Sequence, residues 1–529
     1  MGVNQMSNRQ VARNATIVMI GIFISRVLGL VRERAVAQVF GRTQQTDAYF
    51  AAFGIPDLMY YLLVGGALSA AFIPVFTSYL AQDDEETAWH VASTFITATV
   101  ILLLIFTVVG EIFTPQLAPL VAYDYSGEQL ALLVQLMRIV FPAVLFTALA
   151  GLEMGVLNSY QHFTAPVVGP ILYNLGIIAG AYVLGPKYGV FGMAVGLVVG
   201  AFGNFAIQLP VLLRYTRAYR PILDLRHPGI RKMGALMLPA MVGLSVNQLN
   251  LMISQNIASG LAEGSITALR LANRLMQFPL GVFAMGISTA VFPLLTRLAA
   301  TNAYKELKET YSLGLRTVLI ITIPASLGLL VLGEPIVRFL FQTGEFTVAD
   351  TQATAYALFF YALALPALSG IQLTSRMFYA LYDTKTPVKI GILSVIVSTA
   401  LSLLFLNFTG LDYGGLALAF SVATTVNFIV YILILRKKLG GIDGGRILTS
   451  VVKSSLASLV MGVVVYLSSN LVGQWVSLAT TRGRLLQMAI PMLIGIIVYG
   501  VFLLAFRMEE LEFLLSAVKG RKKRLPAKE

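Results

Sequence analysis

Ser25-Arg26-Val27-Leu28-Gly29-Leu30-Val31-Arg32-Glu33 lies inside the first long hydrophobic run of the chain, 14–40. An Arg at the centre of a membrane helix opposes insertion by roughly 2.5–3.5 kcal/mol, so such residues face a polar cavity or a partner rather than lipid. A second basic pair, Arg270 and Arg274, recurs near another apolar stretch. The pattern predicts a membrane protein that builds an anion-binding hollow.

Working outward, 57% of the 529 residues are hydrophobic and 12% are charged. A soluble domain carries about 25% charged residues. The mean hydropathy is +0.80, and apolar runs near the length of a membrane crossing repeat along the chain, which predicts an all-α polytopic membrane protein. Barrel strands are excluded, because they read as short alternating segments. The chain has no Cys and three His. Disulfides, thiolate chemistry and a His-rich metal centre are therefore not expected, and neither a metal nor a cofactor is called for. The net charge of +13 falls in loops between apolar segments, as the positive-inside rule requires, so nucleic acid is not the expected partner. No cleavable signal peptide is expected at the first run.

Fourteen hydrophobic helices are predicted: 14–40, 46–80, 88–112, 129–157, 164–185, 189–214, 233–259, 266–298, 312–333, 351–381, 387–407, 414–436, 447–471 and 485–507. Several exceed the roughly 20 residues that span a bilayer, and Pro56, Pro142, Pro279 and Pro366 are expected kink points. Basic residues cluster at Arg214–Lys232, Arg297–Lys308, Arg436–Arg446 and Lys519–Arg524. With alternating helices these regions share one side, which places both termini in the cytoplasm. Arg482 and Arg484, and the acidic run Asp83–Glu86, run against that rule.

An internal repeat is visible. Ser69-Ala70-Ala71-Phe72-Ile73-Pro74-Val75-Phe76-Thr77 aligns with Ser288-Thr289-Ala290-Val291-Phe292-Pro293-Leu294-Leu295-Thr296, and Tyr188-Gly189 with Tyr413-Gly414, at an offset of about 220 residues. Six helices per repeat preserve orientation, so the halves form parallel repeats about an axis along the membrane normal. The expected organisation is an N-lobe over 1–221, a C-lobe over 222–440, and residues 441–529 as a final helix pair with a basic tail.

Within the first helix Ser25 and Arg32 share one stripe, Arg26 and Glu33 the next, and Gly29 lies close to both. Glu33 is expected to pair an Arg when no substrate is bound; snorkelling of Arg32, Glu33 and Arg34 at the interface is the competing explanation. Arg270 and Arg274 share a face of the eighth helix, with Gln277 close by. Guanidinium groups in such pairs suit phosphate, whose oxygens take their planar donors bidentately. Asp47 opens the second helix and is expected to cap it or to offset nearby Arg charge. Asn247, Asn250 and Ser254 form a stripe suited to interhelix hydrogen bonds or to ligand contact. Glu153, a lone acid in the fourth helix, has no assigned role. Asp83–Glu86 resembles a metal–diphosphate motif but lies in a loop with no second such motif. Gly440–Gly445 lacks the Lys-Ser/Thr of a nucleotide-binding loop.

Together these residues resemble the MurJ (MviN) family of bacterial lipid II flippases, in the superfamily that includes MATE exporters and polysaccharide flippases. The resemblance rests on Ser25–Glu33, on Phe40-Gly41 with Thr46-Asp47-Ala48-Tyr49-Phe50, on Ala272-Asn273-Arg274-Leu275-Met276-Gln277-Phe278-Pro279, and on Lys385-Thr386-Pro387-Val388-Lys389. It implies that Arg26, Arg32, Asp47 and Arg274 line a central cavity. Two positions depart: Tyr60 stands where relatives can have a basic residue, and Gln277 where they can have Glu. Arg270 is a candidate to replace the cation missing at Tyr60. The implied substrate is lipid II, a polyprenyl-diphosphate-linked sugar-peptide, moved by alternating access in the bacterial inner membrane, with the final helix pair forming a groove for the tail. A coupling ion is left open, and membrane lipids are the other partners. The alternatives are an exporter of another polyprenyl-linked glycan or of drugs, and a membrane-embedded transferase.

Overall fold

The computed structural model describes residues 8–65, 68–215 and 219–511; within helices, the side chains of 8–15, 65, 69–70, 238–240, 242–244 and 247 are not described. Gly66, Arg217, the side chain of Asn247 and the basic tail residues thus lie outside the described residues. Among the described residues every regular element is helical. The chain opens with α1 (Asn8–Phe40), followed by the short helices α2 (Gln44–Ala51), α3 (Gly54–Tyr60) and α4 (Ile73–Leu80), with π-helical turns at Tyr61–Gly65 and Leu68–Phe72 before α4. Then come α5 (Glu85–Leu117), α6 (Gly127–Ser159), α7 (Thr164–Ala179), a π turn at Gly180–Leu184, α8 (Gly185–Tyr188) and α9 (Val190–Leu212). Next are α10 (Pro228–Ala258), α11 (Ser265–Pro279), a π turn at Leu280–Ala284 and α12 (Met285–Ala300). The chain continues through α13 (Tyr304–Phe341), α14 (Val348–Ala362), α15 (Leu365–Ala380), α16 (Lys385–Phe408), α17 (Tyr413–Leu439), α18 (Gly444–Trp475) and α19 (Thr481–Ala505).

Among the described residues, ten helical stretches are long and apolar enough to cross a membrane, or eleven if α14 and α15 form one crossing bent by 46°. Of the fourteen expected helices, α1, the α2–α4 run and α10 do not enter that count. The α2–α4 run, expected as one helix over 46–80, is cut into α-helices of eight, seven and eight residues separated by π turns. Two expected kinks coincide with irregular backbone. Pro279 has no N–H to offer its helix, and the ladder widens into a π turn directly after it. The α14–α15 bend falls at Leu363–Ala364, just ahead of Pro366, which has no N–H to donate to the Ala362 carbonyl and sits instead in the first turn of α15. Pro142, by contrast, sits inside an uninterrupted α6.

The chain forms two compact units: Met1–Thr267 with Thr343–Thr347, and Ala268–Gln342 with Val348–Glu529. The first includes α10, so its boundary differs from the repeat-based one at residue 221. In this unit α7 and α9 pack most intimately. A Cβ on Gly196 would stand 2.5 Å from the Gly180 Cα, so only glycine permits this approach.

The second unit is organised on α13, against which α14, α15, α18 and α19 pack. Its core joins Leu295, Leu307, Tyr311 and Leu315 to Leu373 and Phe378. Polar clamps fix α19 and the residues just after it to α13. Arg316 donates to Glu510 just beyond α19 at 2.6 Å, and these two side chains are 9% and 2% exposed. Tyr499 donates to the Ile320 carbonyl at 2.6 Å. Toward the other end of α13, Arg338 donates to Gln487 at 2.9 Å.

Candidate functional site

On α1 the structure leaves Arg26 exposed, half-buries Ser25 and buries Gly29. Arg32 is largely enclosed. Its guanidinium donates from Nη2 to Glu33 Oε1 at 2.5 Å and from Nη1 to Asn174 Oδ1 at 3.3 Å. Asn174, on α7, gives its own Nδ2 proton to the Pro170 carbonyl at 2.8 Å, which turns Oδ1 toward the arginine. Glu33 is 3% exposed. A cation so deep in an apolar unit is tolerable because it is paired and hydrogen-bonded. The expected Glu33 pairing thus falls on Arg32. Asn174 was not singled out from the sequence; its one signal is a lone amide in an apolar run.

Asp47 corrects an expectation. It does not cap its own helix, since Thr43 holds that place with Oγ1 accepting from the Thr46 N–H. Asp47 instead accepts from the Gly264 N–H at 2.8 Å, the Thr267 N–H at 2.7 Å and Thr267 Oγ1 at 2.5 Å. These donors belong to the start of α11, whose first-turn N–H groups have no helical partner and favour an anion. With both oxygens taken by protein donors, the carboxylate is a latch in this conformation. The same turn is held by Arg42 donating to the Glu263 carbonyl at 3.0 Å and by the Gln44 N–H donating to Glu263 Oε1 at 2.8 Å.

In the second unit α11 is sharply two-faced. Leu271, Ala272, Leu275 and Met276 are buried. Arg270 and Asn273 are half-buried, and Arg274 and Gln277 are exposed. Gln277 Nε2 donates to Asn273 Oδ1 at 2.5 Å. The predicted polar stripe is therefore present, one to three turns beyond the point where Asp47 holds the helix start. A further half-buried cation, Arg376 on α15, lies 6.0 Å from the Phe292 ring centroid. The sequence signal for it was the same as for Arg26, an arginine inside an apolar segment, and it was passed over.

Two other expected positions fall elsewhere. Tyr60 lines an internal cavity of about 180 Å³ in the first unit, together with Thr147, Met154, Tyr173, Asn204 and Gln208. Asn250 is half-buried on α10. The interhelix bonds observed on α10 come from its neighbours: Gln255 donates to the Ala51 carbonyl at 3.3 Å and Asn256 to the Pro119 carbonyl at 3.2 Å.

The described residues form an all-helical fold with apolar stretches long enough to cross a membrane, and solved transporters share it. A solved structure described as an inward-facing MATE multidrug transporter of the MOP superfamily is similar at a TM-score of 0.66 and 16% identity, covering 79% of this chain and 94% of that one. At that identity the likeness speaks for the fold. A solved lipid II flippase MurJ in an inward closed conformation is similar at a TM-score of 0.77 and 27% identity, covering 93% of this chain and 99% of the other. The model of the family described as lipid II flippase MurJ matches residues 36–486. The lipid II flippase MurJ of Burkholderia cenocepacia is 33% identical over 78% of this chain and 82% of its own length. A probable lipid II flippase MurJ of Haemophilus influenzae is 30% identical over 91% of this chain and 97% of its own length. The chain belongs to the MurJ family.

Proposed function

We propose that this protein flips lipid II from the cytoplasmic to the outer leaflet of the bacterial inner membrane, as a transporter in peptidoglycan synthesis and not as an enzyme. The observation that carries this reading is the family match over residues 36–486. The chemistry fits the substrate. Lipid II presents a diphosphate between a polyprenyl tail and a sugar-peptide head, and Arg26, Arg32, Arg270 and Arg274 offer it charge-assisted, bidentate hydrogen bonds. Without substrate, Glu33 and Asn174 satisfy Arg32; a diphosphate would compete with them for the same guanidinium. Arg270 supplies the cation that Tyr60 does not. Ser25, Gly29, Asn250 and Gln277 complete the polar lining.

The finer architecture is part of the same proposal. Fourteen crossings form two six-helix lobes, 1–221 and 222–440, and residues 441–529 add the last pair and the tail, with both termini in the cytoplasm. The lobes rock to expose the arginines to either side in turn. Asp47 takes part through its hold on residues 264–267, which must break whenever the start of α11 moves away from α2. Depleting the protein in cells tests the function. Lipid II is expected to accumulate in the cytoplasmic leaflet; accumulation in the outer leaflet would overturn the reading.

A further inference from the structure

Glu153 lies in the second half of α6 and takes no part in the mechanism above. Its side chain is 4% exposed in the whole residue, and neither carboxylate oxygen has a hydrogen-bond donor from the protein. Among the described residues, the elements that pack most extensively on α6 are α2, α3, α4, α5, α7, α9, the π turns at 61–65 and 68–72 and the turn at 118–120, and none of these carries a Lys or an Arg. Their titratable groups are Asp47 and Tyr49 on α2, Asp57 and Tyr60 on α3, Tyr61 and Tyr79 in the following run, Glu85, Glu86, His90 and Glu111 on α5, and Tyr173 on α7. On α6 itself, Arg138 stands about four turns away.

Ala150, Gly151 and Met154, on the same turns of α6, line the cavity of about 180 Å³ described above. Gln208, which also lines it, is 1% exposed and its Oε1 has no donor. An ionised carboxyl here would be a buried charge with neither partner nor hydrogen bond, which protein interiors do not sustain. The neutral acid removes that uncompensated charge.

We propose that Glu153 is a proton-binding site inside the N-terminal unit, occupied in this conformation and filled and emptied through the adjoining cavity. One O–H bond forms on the carboxylate as one O–H bond of a hydronium ion breaks and a neutral water is released, so the site passes from one negative charge to none. A movement that hydrates α6 would release the proton, so the site is a means of linking proton movement to the conformational cycle. The proton site itself does not depend on the identity of the transported lipid.

Infrared difference spectroscopy on the full-length protein in lipid vesicles tests this. At neutral pH the wild type is expected to show the carbonyl band of a protonated carboxylic acid, shifted by isotopic labelling of glutamate carboxyl carbons and lost in Glu153→Gln. Absence of a glutamate-derived band in the wild type overturns the proposal without recourse to any variant. So does its persistence unchanged in Glu153→Gln. Replacing sodium chloride with choline chloride should leave the band as it is; a band that appears only when sodium is removed would mean that a metal cation, not a proton, occupies the site.

Discussion

Arg32 has its whole coordination within reach: Glu33 beside it in sequence and Asn174 across from it on α7. Such a residue is held ready at low cost and can exchange one partner for another of the same charge. Arg26 and Arg274 are exposed on their helices. Arg26→Ala, Arg32→Ala and Arg274→Ala are each expected to abolish flipping while the protein still inserts. Complementation of a depleted strain checks this, and growth supported by all three variants would refute the cationic-cavity reading. At this scale the arginines were legible because charge within an apolar run is rare and costly. Asn174 and Arg376 were not, because the importance of a single polar side chain depends on what the fold brings to it. Asp47 was legible as a helix cap, but not as the cap of a helix more than two hundred residues away.

Among elements, α13 and the last helix pair behave as one block. Arg316 and Glu510 are both buried, so removing one leaves the other charge uncompensated, at a cost of roughly 3–5 kcal/mol. Arg316→Ala is therefore expected to lower the thermal unfolding temperature in detergent markedly, while Arg316→Met with Glu510→Leu should recover most of the loss. If the double variant is as unstable as the single, the pair is not the source of the effect.

A second clamp joins the loop before α16 to the end of α17, where Asp383 accepts from Lys438 Nζ at 2.6 Å and from the Thr386 N–H at 3.0 Å. Burial pushes this carboxyl up, but Lys438 and Thr386 outweigh it and hold the group below the ordinary aspartate range. A lowered value means stability that is full above the unfolded value of about 3.9 and lost as pH falls through the folded one. Asp383→Asn should thus destabilise at neutral pH, by a modest and salt-sensitive amount, and converge with the wild type in acid. A gap that widens on acidification would contradict the assignment.

The last helix pair, α18 and α19, carries the tail hypothesis. Leu456, Val460, Leu486, Ile490 and Met492 are exposed, whereas Met461 is buried, close to Gly495. Bulky polar substitutions at the exposed positions should weaken binding of a long-chain substrate and spare a short-chain analogue with the same head. Apolar burial at ~25 cal/mol per Å² makes that difference measurable. Equal losses for both would assign these faces to ordinary lipid contact.

For the whole molecule, orientation is the first question, and the two apparent exceptions to charge asymmetry have local structural roles. Asp84 is the N-cap of α5, accepting from the Thr87 N–H at 3.0 Å, with Glu85 and Glu86 in the first turn where acids suit the helix dipole. Arg484 donates to the Leu478 carbonyl at 2.7 Å and to the Gln342 carbonyl, so it is fixed as an internal cap. The chain has no Cys, which makes single-cysteine labelling clean. Thr409→Cys should react with an impermeant maleimide from outside spheroplasts and Thr301→Cys only after lysis. The reverse pattern would invert the topology.

The sequence alone determined that this is a helical membrane protein with cationic stripes on two of its helices. Hydropathy over twenty residues and the cost of a charge in lipid are local quantities, readable without knowing any contact. Only the tertiary structure decided which helices break, because a π turn reflects how neighbours pack around a strained ladder. Only the tertiary structure decided that Arg32 answers to Asn174, that Asp47 holds the start of α11, and that Glu153 is buried with no hydrogen-bond donor among the described residues. Each of those is a relation between residues distant in the chain, and no pattern of spacing along one helix contains it.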